Sequence, residues 1–186
     1  MPGFRMDRVE LTDDVVVLRA PEPADVDRIT ELCQDPDVQE WTVVPSPYTR
    51  ADAAGFVEHV VDAGWATGAE LTWAVRDAAT DRLDGMIGLS LAPGASAEIG
   101  YWLGPDARGR GVMTRAVRLV VDHALRPDRL GLDRLSWSAV VGNTASLRVA
   151  ERAGFRVEGT VRGFVLQRGS RRDGWVGTLL AGDPRP

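Results

Sequence analysis

The sequence predicts an α/β fold organised around one central mixed sheet, and three observations lead to this prediction. Strand-like and helix-like segments alternate along the 186 residues. Three strand-like segments joined by short turns over residues 71–103 are typical of antiparallel hairpins. The strand–helix units that follow them add parallel strands to such a sheet. Because 44% of the residues are hydrophobic, the chain can bury a sizeable core, and we expect one domain over residues 1–186.

The first third of the chain predicts one strand and two helices. The strand is rich in β-branched residues, and both helices carry apolar residues at helical spacing. Thr49 is a suitable N-cap for the second helix, and Gly64 is expected just beyond its end. In chain order the predicted elements are a strand at 15–20, a helix at 23–34, an irregular segment at 36–48 and a helix at 49–64.

The remaining two thirds predict the sheet and two further helices. The first of these helices is strongly amphipathic, with its apolar residues on one face and arginines on the opposite face. The C-terminal part beyond it is again strand-like. In chain order we expect strands at 71–77, 86–92 and 97–103, a helix at 111–125, a strand at 134–141, a short helix at 143–154 and strands from residue 155 onward.

Composition excludes several classes of protein. The net charge of −5 argues against a general nucleic-acid binder. No apolar run approaches the roughly 18 residues of a membrane helix, so we expect no membrane insertion. The single cysteine, Cys33, cannot form an intrachain disulfide, which favours a reducing, cytoplasmic compartment. The sequence has no cluster of cysteines and histidines at the spacing of a metal site. Cys33, His59 and His123 lie on predicted helices, where structural roles are expected.

The stretch "LGPDARGRGVMTRA" at residues 103–116 is basic within this acidic chain. It places two glycines at the start of a predicted helix, where unpaired N–H groups bind anions readily. Gly109 and Gly111 would let an anion approach the backbone closely. A P-loop is excluded because the chain has no lysine, and a dinucleotide fingerprint is excluded because Thr114 stands where a third glycine or alanine is needed.

A different pattern fits this stretch. Residues 108–113, "RGRGVM", resemble the [QR]-x-x-G-x-[GA] pyrophosphate loop of the GNAT superfamily of N-acetyltransferases, with Met113 departing at the last position. Residues 143–155, "NTASLRVAERAGF", resemble the second motif of that family. "EIGYWL" and "ERAGFRVEG" point to its RimJ/RimL branch of ribosomal-protein N-terminal acetyltransferases. The resemblance implies the GNAT fold, with helices on both faces of a sheet that splays apart between strands 97–103 and 134–141.

The resemblance also implies the co-substrate, acetyl-CoA, and the residues that bind coenzyme A. The backbone of the glycine loop would bind the pyrophosphate, and the opening between the two strands would admit the pantetheine arm. Asn143 would contact that arm, and Ser146 would donate a proton to the departing thiolate. The residues implied in binding are Trp102, Leu103, Arg108, Gly109, Arg110, Gly111, Val112, Met113, Thr114, Asn143 and Ser146.

The group that deprotonates the acceptor amine is less defined. Glu98 is the nearest carboxylate, and strand alternation places it on one face with Gly100 and Trp102. It could act directly or through water, or it could be structural. Some relatives carry their base on the strand after the second motif, but residues 161–168 contain no carboxylate. A water relay, or no dedicated base, therefore stays open.

The residues that could line the acceptor pocket lie in the first half of the chain. Its walls could be formed by aromatic residues and one proline, although the same residues could equally be core. These are Trp41, Pro45, Tyr48, Trp65 and Trp73.

The sequence therefore predicts an acyl-CoA-dependent N-acyltransferase. It would transfer acetyl to a primary amine, either a peptide N-terminus or a small molecule, by direct attack in a ternary complex. The alternatives are a non-catalytic CoA-binding regulatory domain, a nucleotide-binding protein, and transfer of succinyl instead of acetyl. The sequence leaves open the acceptor, the acyl group and whether the chain forms a homodimer.

Overall fold

Eight strands and six α-helices are present in residues 7–185, the part of the chain that the computed structural model describes. The strands are β1 (Leu11–Thr12), β2 (Val16–Arg19), β3 (Glu70–Asp77), β4 (Leu83–Ala92), β5 (Ser96–Leu103), β6 (Arg134–Val140), β7 (Arg156–Gln167) and β8 (Ser170–Leu180). The helices are α1 (Val26–Leu32), α2 (Pro36–Trp41), α3 (Arg50–Gly55), α4 (Asp62–Thr67), α5 (Val112–Leu125) and α6 (Thr144–Arg152). A π-helical segment, Phe56–Val61, makes α3 and α4 continuous.

All eight strands form one mixed sheet in the order β1-β2-β3-β4-β5-β6-β8-β7. Every neighbouring pair is antiparallel except β5 and β6, which run parallel. Their pairing extends only from Ser96 opposite Arg134 to Ile99 opposite Trp137. Beyond that point β5 continues to Leu103 and β6 to Val140 without pairing to each other. The predicted mixed sheet and its splayed strands are confirmed.

Helices cover both faces of the sheet, as predicted. Because successive side chains of a strand point to opposite faces, Trp73 and Ala74 of β3 enter different cores. Trp73 belongs to the larger core, which includes the buried stripe of α5 around Val117. Ala74 belongs to the smaller core with Ile29 of α1. Burial of these two apolar helix faces is the main stabilising contribution of α1 and α5.

The predicted helix at 49–64 begins where expected but ends later. Thr49 is the N-cap, and its hydroxyl oxygen accepts the N–H of Asp52. Gly64 lies inside α4 instead of beyond its end, which is a correction. A Cβ at Gly64 would lie 2.3 Å from the carbonyl oxygen of Glu70, so this glycine permits close packing of the helix on β3. Gly68, with φ of +71°, ends the helix in the left-handed conformation.

The segment at 36–48, predicted to be irregular, is irregular only in its second part. Its first part is the short helix α2, which begins with Pro36 at its first position. The side chain of Asp35 caps it by accepting the N–H of Val38 at 3.0 Å. The prediction missed α2 because the helix is too short to show apolar periodicity. The other predicted elements agree with the structure to within three residues at either end, except the last strand, predicted at 175–182, which begins at Ser170. The two-residue strand β1 was not predicted.

Candidate active site

A cleft opens where β5 and β6 separate, and it leads into a cavity of about 390 Å³. Its lining includes Glu98, Gly100 and Trp102 of β5, which the sequence placed on one face. Asn143 and Ser146, from the start of α6, also line it. The structure therefore brings together the predicted residues of β5 and those of the second motif.

The glycine loop lies at the other end of the separated part of β5 and leads directly into α5. Gly109 and Gly111 have φ values of +74° and +76°, and a Cβ on either would meet no atom within 4 Å. No side chain caps the first turn of α5. Such a turn carries about half a positive charge on its exposed N–H groups. The loop therefore offers an anion a backbone surface without side-chain obstruction.

Met113, the departure from the family motif, points away from this surface. Its side chain is 4% exposed and belongs to the core beneath α5. A larger apolar residue at this position thus fills the core without entering the anion surface, which explains why the motif tolerates it.

Arg108 and Arg110, the two loop arginines, have different surroundings. The Arg108 guanidinium donates to the carbonyl oxygen of Leu103 at 3.1 and 2.9 Å and forms ion pairs with Asp35 and Asp37. Burial would raise the pKa of Asp35, but the Arg108 hydrogen bond and the Val38 N–H outweigh it, so that the pKa is lowered. The Arg110 side chain is 53% exposed, and its ion pair with Asp84 is long, at 3.9 Å.

The start of α6 forms a small polar network. The Asn143 side chain accepts the N–H of Ser146 at 3.1 Å and so acts as the N-cap. The indole Nε1 of Trp137 donates to the Ser146 hydroxyl oxygen at 3.1 Å. The hydroxyl of Tyr101 donates to the Ser146 carbonyl oxygen at 2.9 Å and links β5 to α6 across the cleft. Burial raises the pKa of Tyr101, which keeps this phenol protonated.

Two carboxylates line the cavity, and sequence analysis found only one of them. Glu98 accepts a hydrogen bond from the Ser138 hydroxyl of β6 at 2.6 Å. Glu70, at the start of β3, accepts one from the Ser90 hydroxyl of β4. Burial raises the pKa of Glu70, an effect that the Ser90 hydrogen bond opposes and the charge of Glu98 reinforces. A signal for Glu70 existed, because it immediately precedes the predicted strand 71–77, which belongs to the same run of hairpins as the strand of Glu98.

Of the residues proposed from the sequence as pocket walls, the structure places some at the cavity and others in the cores. Trp41 lines the cavity, whereas Tyr48, Trp65 and Trp73 are buried in the two cores, and Pro45 is not part of the lining.

Cys33 is buried, and burial raises its thiol pKa to about 12, which rules out a ready nucleophile. Within residues 7–185 no group of histidine, cysteine and acidic residues could hold a metal ion. No helix of that part has the length and apolar character needed to span a membrane.

Comparison with known proteins gives the same family at the levels of sequence and structure. Residues 16–156 match the acetyltransferase (GNAT) domain family. The probable N-acetyltransferase YjcK of Bacillus subtilis (strain 168) is 39% identical over 117 residues, covering 61% of this chain and 64% of YjcK, less than two thirds of its length. YdaF of the same organism, a candidate ribosomal N-acetyltransferase, is 30% identical over 163 residues, covering 85% of this chain and 87% of YdaF.

A solved structure of RimL adds the evidence from the fold. RimL is a ribosomal L7/L12 alpha-N-protein acetyltransferase, determined in complex with coenzyme A. Its TM-score is 0.82 at 20% identity, covering 92% of this chain and 98% of RimL. A sheet that splits between two parallel strands beside an uncapped glycine loop thus defines an N-acetyltransferase that uses acetyl-CoA as co-substrate. The chain belongs to the GNAT acetyltransferase family, and the resemblance seen in its two motifs is confirmed.

Proposed function

We propose that residues 1–186 act as one acetyltransferase domain that acetylates a primary amine, with both substrates bound together in the cleft. The observation that carries this proposal is the split between β5 and β6 beyond Ile99 and Trp137. It connects an anion-binding surface at the start of α5 with a cavity that holds polar groups and two carboxylates. Two substrates can therefore meet at the split from opposite ends.

The loop residues present fit coenzyme A. We propose that the backbone N–H groups from Gly109 to Thr114 hold its pyrophosphate, with Val112 and Met113 contributing only their main chain because their side chains are buried. We place the pantetheine arm beside Trp102 and Leu103 of β5, which lie beyond the last residue paired with β6. The Leu103 carbonyl oxygen is already bound by Arg108, so its N–H is the group left for the arm. Acetyl-CoA, when bound, supplies a thioester that a neutral amine attacks, with release of the thiol.

The two loop arginines have separate roles in this proposal. Arg108 shapes the loop, because its guanidinium already binds Leu103, Asp35 and Asp37. Arg110 is exposed and provides positive charge beside the pyrophosphate site. Only Arg110 would thus contact the anion through its side chain.

Ser146 and Asn143 supply the polar groups at the split. We assign Ser146 as the proton donor for the departing thiolate, since its hydroxyl oxygen already accepts from Trp137 and its own proton can point into the cleft. Asn143 orients Ser146 as the N-cap of α6 and has an amide N–H₂ left to contact the pantetheine arm. The Tyr101 hydroxyl is used to hold α6 and does not take part in this proton transfer.

Glu98 is the carboxylate of β5 beside the split, and we assign it to attract the acceptor's ammonium group. It is exposed at the cavity, where an incoming ammonium can reach it directly or through water. Its bond from Ser138 fixes the carboxylate on the side of β6, next to the split. In this position it can attract the amine to the site of transfer.

The acceptor we favour is the α-amine of a peptide. An α-amine has a reference pKa of about 7.7–8.0, against about 10.4 for a lysine side chain, so it loses its proton far more easily near neutral pH. The structural similarity to RimL, an α-N-protein acetyltransferase, supports this choice. A small-molecule amine is the alternative. A reducing, cytoplasmic location fits the buried free thiol of Cys33.

Thiol release across a panel of amines, beside a titration of CoA binding, tests the proposal. The panel contains peptides with free and with blocked N-termini, lysine-containing peptides and small amines, each with acetyl-CoA and with succinyl-CoA. We expect release with free N-termini and acetyl-CoA. CoA binding without thiol release for any amine would instead identify a non-catalytic CoA-binding domain. Preferential turnover of succinyl-CoA would replace the acetyl assignment.

A further inference from the structure

The floor of the acceptor cavity is a regular part of the sheet. Glu70 of β3, Ser90 of β4 and Glu98 of β5 are cross-strand partners in one row. The next row along the same face consists of Thr72, Gly88 and Gly100. Since cross-strand partners share a face, the two carboxylates stand at one end of a floor that two glycines leave uncovered.

The Glu70 carboxylate lies over this glycine floor. A Cβ at Gly88 would lie 3.2 Å from Oε1 of Glu70, whereas a Cβ at Gly100 would meet no atom within 4 Å. Oε2 of Glu70 accepts the Ser90 hydroxyl, and the described residues give Oε1 no hydrogen-bond donor. Oε1 therefore lies over Gly88, and the described residues leave the neighbouring space above Gly100 open as far as the split.

The cavity carries negative charge without a matching cation. Among the described residues that line it, the ionisable ones are Glu70, Glu98 and Tyr101. Most of the remaining lining is apolar or aromatic, including Trp41, Val43 and Phe56 on the side of the helices. A half-buried carboxylate, Glu70, and an exposed one, Glu98, in such surroundings are complementary to a ligand that brings its own positive charge.

We propose that Glu70 is a further catalytic residue, which binds the acceptor's ammonium group through Oε1 and takes its proton. The inference rests on the proposed amine acetylation and deepens it by adding a selection rule. The accepted amine enters as a cation without a carboxylate next to its nitrogen, as at a peptide N-terminus or in a simple alkylamine. A free amino acid would bring its carboxylate against Glu70 and Glu98 and is disfavoured.

The proton transfer is balanced by groups on this chain. The ammonium nitrogen gives one proton to Oε1 of Glu70, which leaves a neutral amine with its lone pair and a neutral carboxylic acid. Glu98, hydrogen-bonded to Ser138, lies in the same row of the sheet and helps to attract the ammonium group. On attack the nitrogen loses a second proton, which replaces the one that Ser146 gives to the departing thiolate. The Glu70 acid returns its own proton to water after product leaves. Partial burial raises the pKa of Glu70 toward the range useful to a base near neutral pH.

The first test compares Glu70→Gln with the wild type on a peptide with a free N-terminus. We expect kcat/KM to fall by at least about tenfold, and the rise of kcat/KM with pH on the acid side to flatten, while the Kd for CoA stays unchanged. The matched control is Glu58→Gln, an exposed carboxylate of the π-helical segment outside the cavity lining. Circular dichroism confirms that both variants are folded. An unchanged pH profile and kcat/KM in Glu70→Gln would overturn the proposal.

The second test measures the selection rule with alaninamide and alanine, which differ in the carboxylate. Because that carboxylate also makes the amine of alanine more basic, the ratio of kcat/KM for the two substrates is compared between the wild type and Glu70→Gln, and an unchanged ratio would contradict the rule. We expect at least about tenfold higher kcat/KM for alaninamide, and a smaller ratio in Glu70→Gln. Equal use of both probes by the wild type would overturn this inference and leave amine acetylation standing. If the protein binds CoA but releases no thiol with any amine of the panel, the proposed function is overturned, and this inference with it.

Discussion

The indole N–H of Trp137 donates a hydrogen bond to the hydroxyl oxygen of Ser146 at 3.1 Å. Trp137 is 1% exposed and is the last residue of β6 that pairs with β5. The serine hydroxyl is therefore held at the point where the two strands separate. Because its oxygen already accepts a hydrogen bond, its own proton is directed elsewhere, and the cleft is the space that Ser146 lines.

Replacement of Ser146 by alanine tests this arrangement. A positioned acid contributes about 10²–10⁴-fold, so we expect Ser146→Ala to lower kcat by at least about tenfold with little change in the Kd for CoA. Loss of the acceptor for Trp137 should cost about 1 kcal/mol of unfolding free energy. Steady-state kinetics, CoA titration and thermal melts check this. The control is Thr144→Ala, an exposed residue in the same helical turn. Full kcat in Ser146→Ala would show that the proton comes from another source, most simply water.

Gly111 and Gly94 provide a matched pair for testing the anion site. Both have positive φ, +76° and +79°, and a Cβ on either would meet no atom within 4 Å. Alanine at either position should cost about 1–2 kcal/mol of stability from left-handed backbone strain. Only Gly111→Ala should also weaken CoA binding, by at least about tenfold or 1.4 kcal/mol, because only there does the methyl group cover the loop backbone. Equal CoA affinity in the two variants would place the anion elsewhere.

Arg108 and Arg110 should separate loop stability from anion attraction. Arg108→Ala removes charge-assisted hydrogen bonds to Asp35 and Leu103, so we expect a loss of about 1.5–3 kcal/mol of unfolding free energy together with weaker CoA binding. Arg110→Ala should change stability by no more than about 0.5 kcal/mol and weaken CoA binding in a salt-dependent way. Chemical denaturation and CoA titrations at two salt concentrations measure both effects. Equal destabilisation by the two variants would contradict the separate roles.

His123 should make the fold sensitive to mild acid. It is buried against Trp73 at 6.2 Å between ring centroids, and burial lowers its pKa below the ordinary 6.5. The unfolded chain therefore binds a proton more readily than the folded protein, and stability is lost as the pH falls below about 6.5. We expect His123→Leu to melt at a temperature that depends less on pH between about 7.5 and 5.5. If the melting temperatures of the two proteins change equally with pH over this range, the assignment to His123 is contradicted.

Local sequence patterns were sufficient for most elements and for recognising the glycine loop and the N-cap of α6. Residue spacing predicted the strands and helices, and single residues such as Thr49 and Asn143 were recognised as caps from their chemical type. The loop around Gly109 and Gly111 could be recognised because close backbone approach needs glycine. These features depend on residues within a few positions of one another, and such relations can be read along a chain.

The missed features depend on residues that are distant in sequence. The Arg108 guanidinium binds Asp35, which lies 73 residues away, so its role in holding the loop has no local signal. Gly64 was interpreted as a stop because glycine often follows the end of a helix. Its actual role depends on how closely the helix packs on Glu70 of β3, which periodicity does not show. Glu70 itself becomes a candidate only when strand register places it in the row of Ser90 and Glu98.

The order of elements, the mixed sheet and the glycine loop were determined by local physics: hydrophobic periodicity, capping and the conformational freedom of glycine. The composition of the acceptor cavity was determined by folding. A shift of one residue in the register of β3 against β4 would turn Glu70 to the opposite face of the sheet. That register is set by the packing of β3 in both cores, where Trp73 and Ala74 are fully buried on opposite sides. The charge of the cavity is therefore a consequence of how the whole sheet packs.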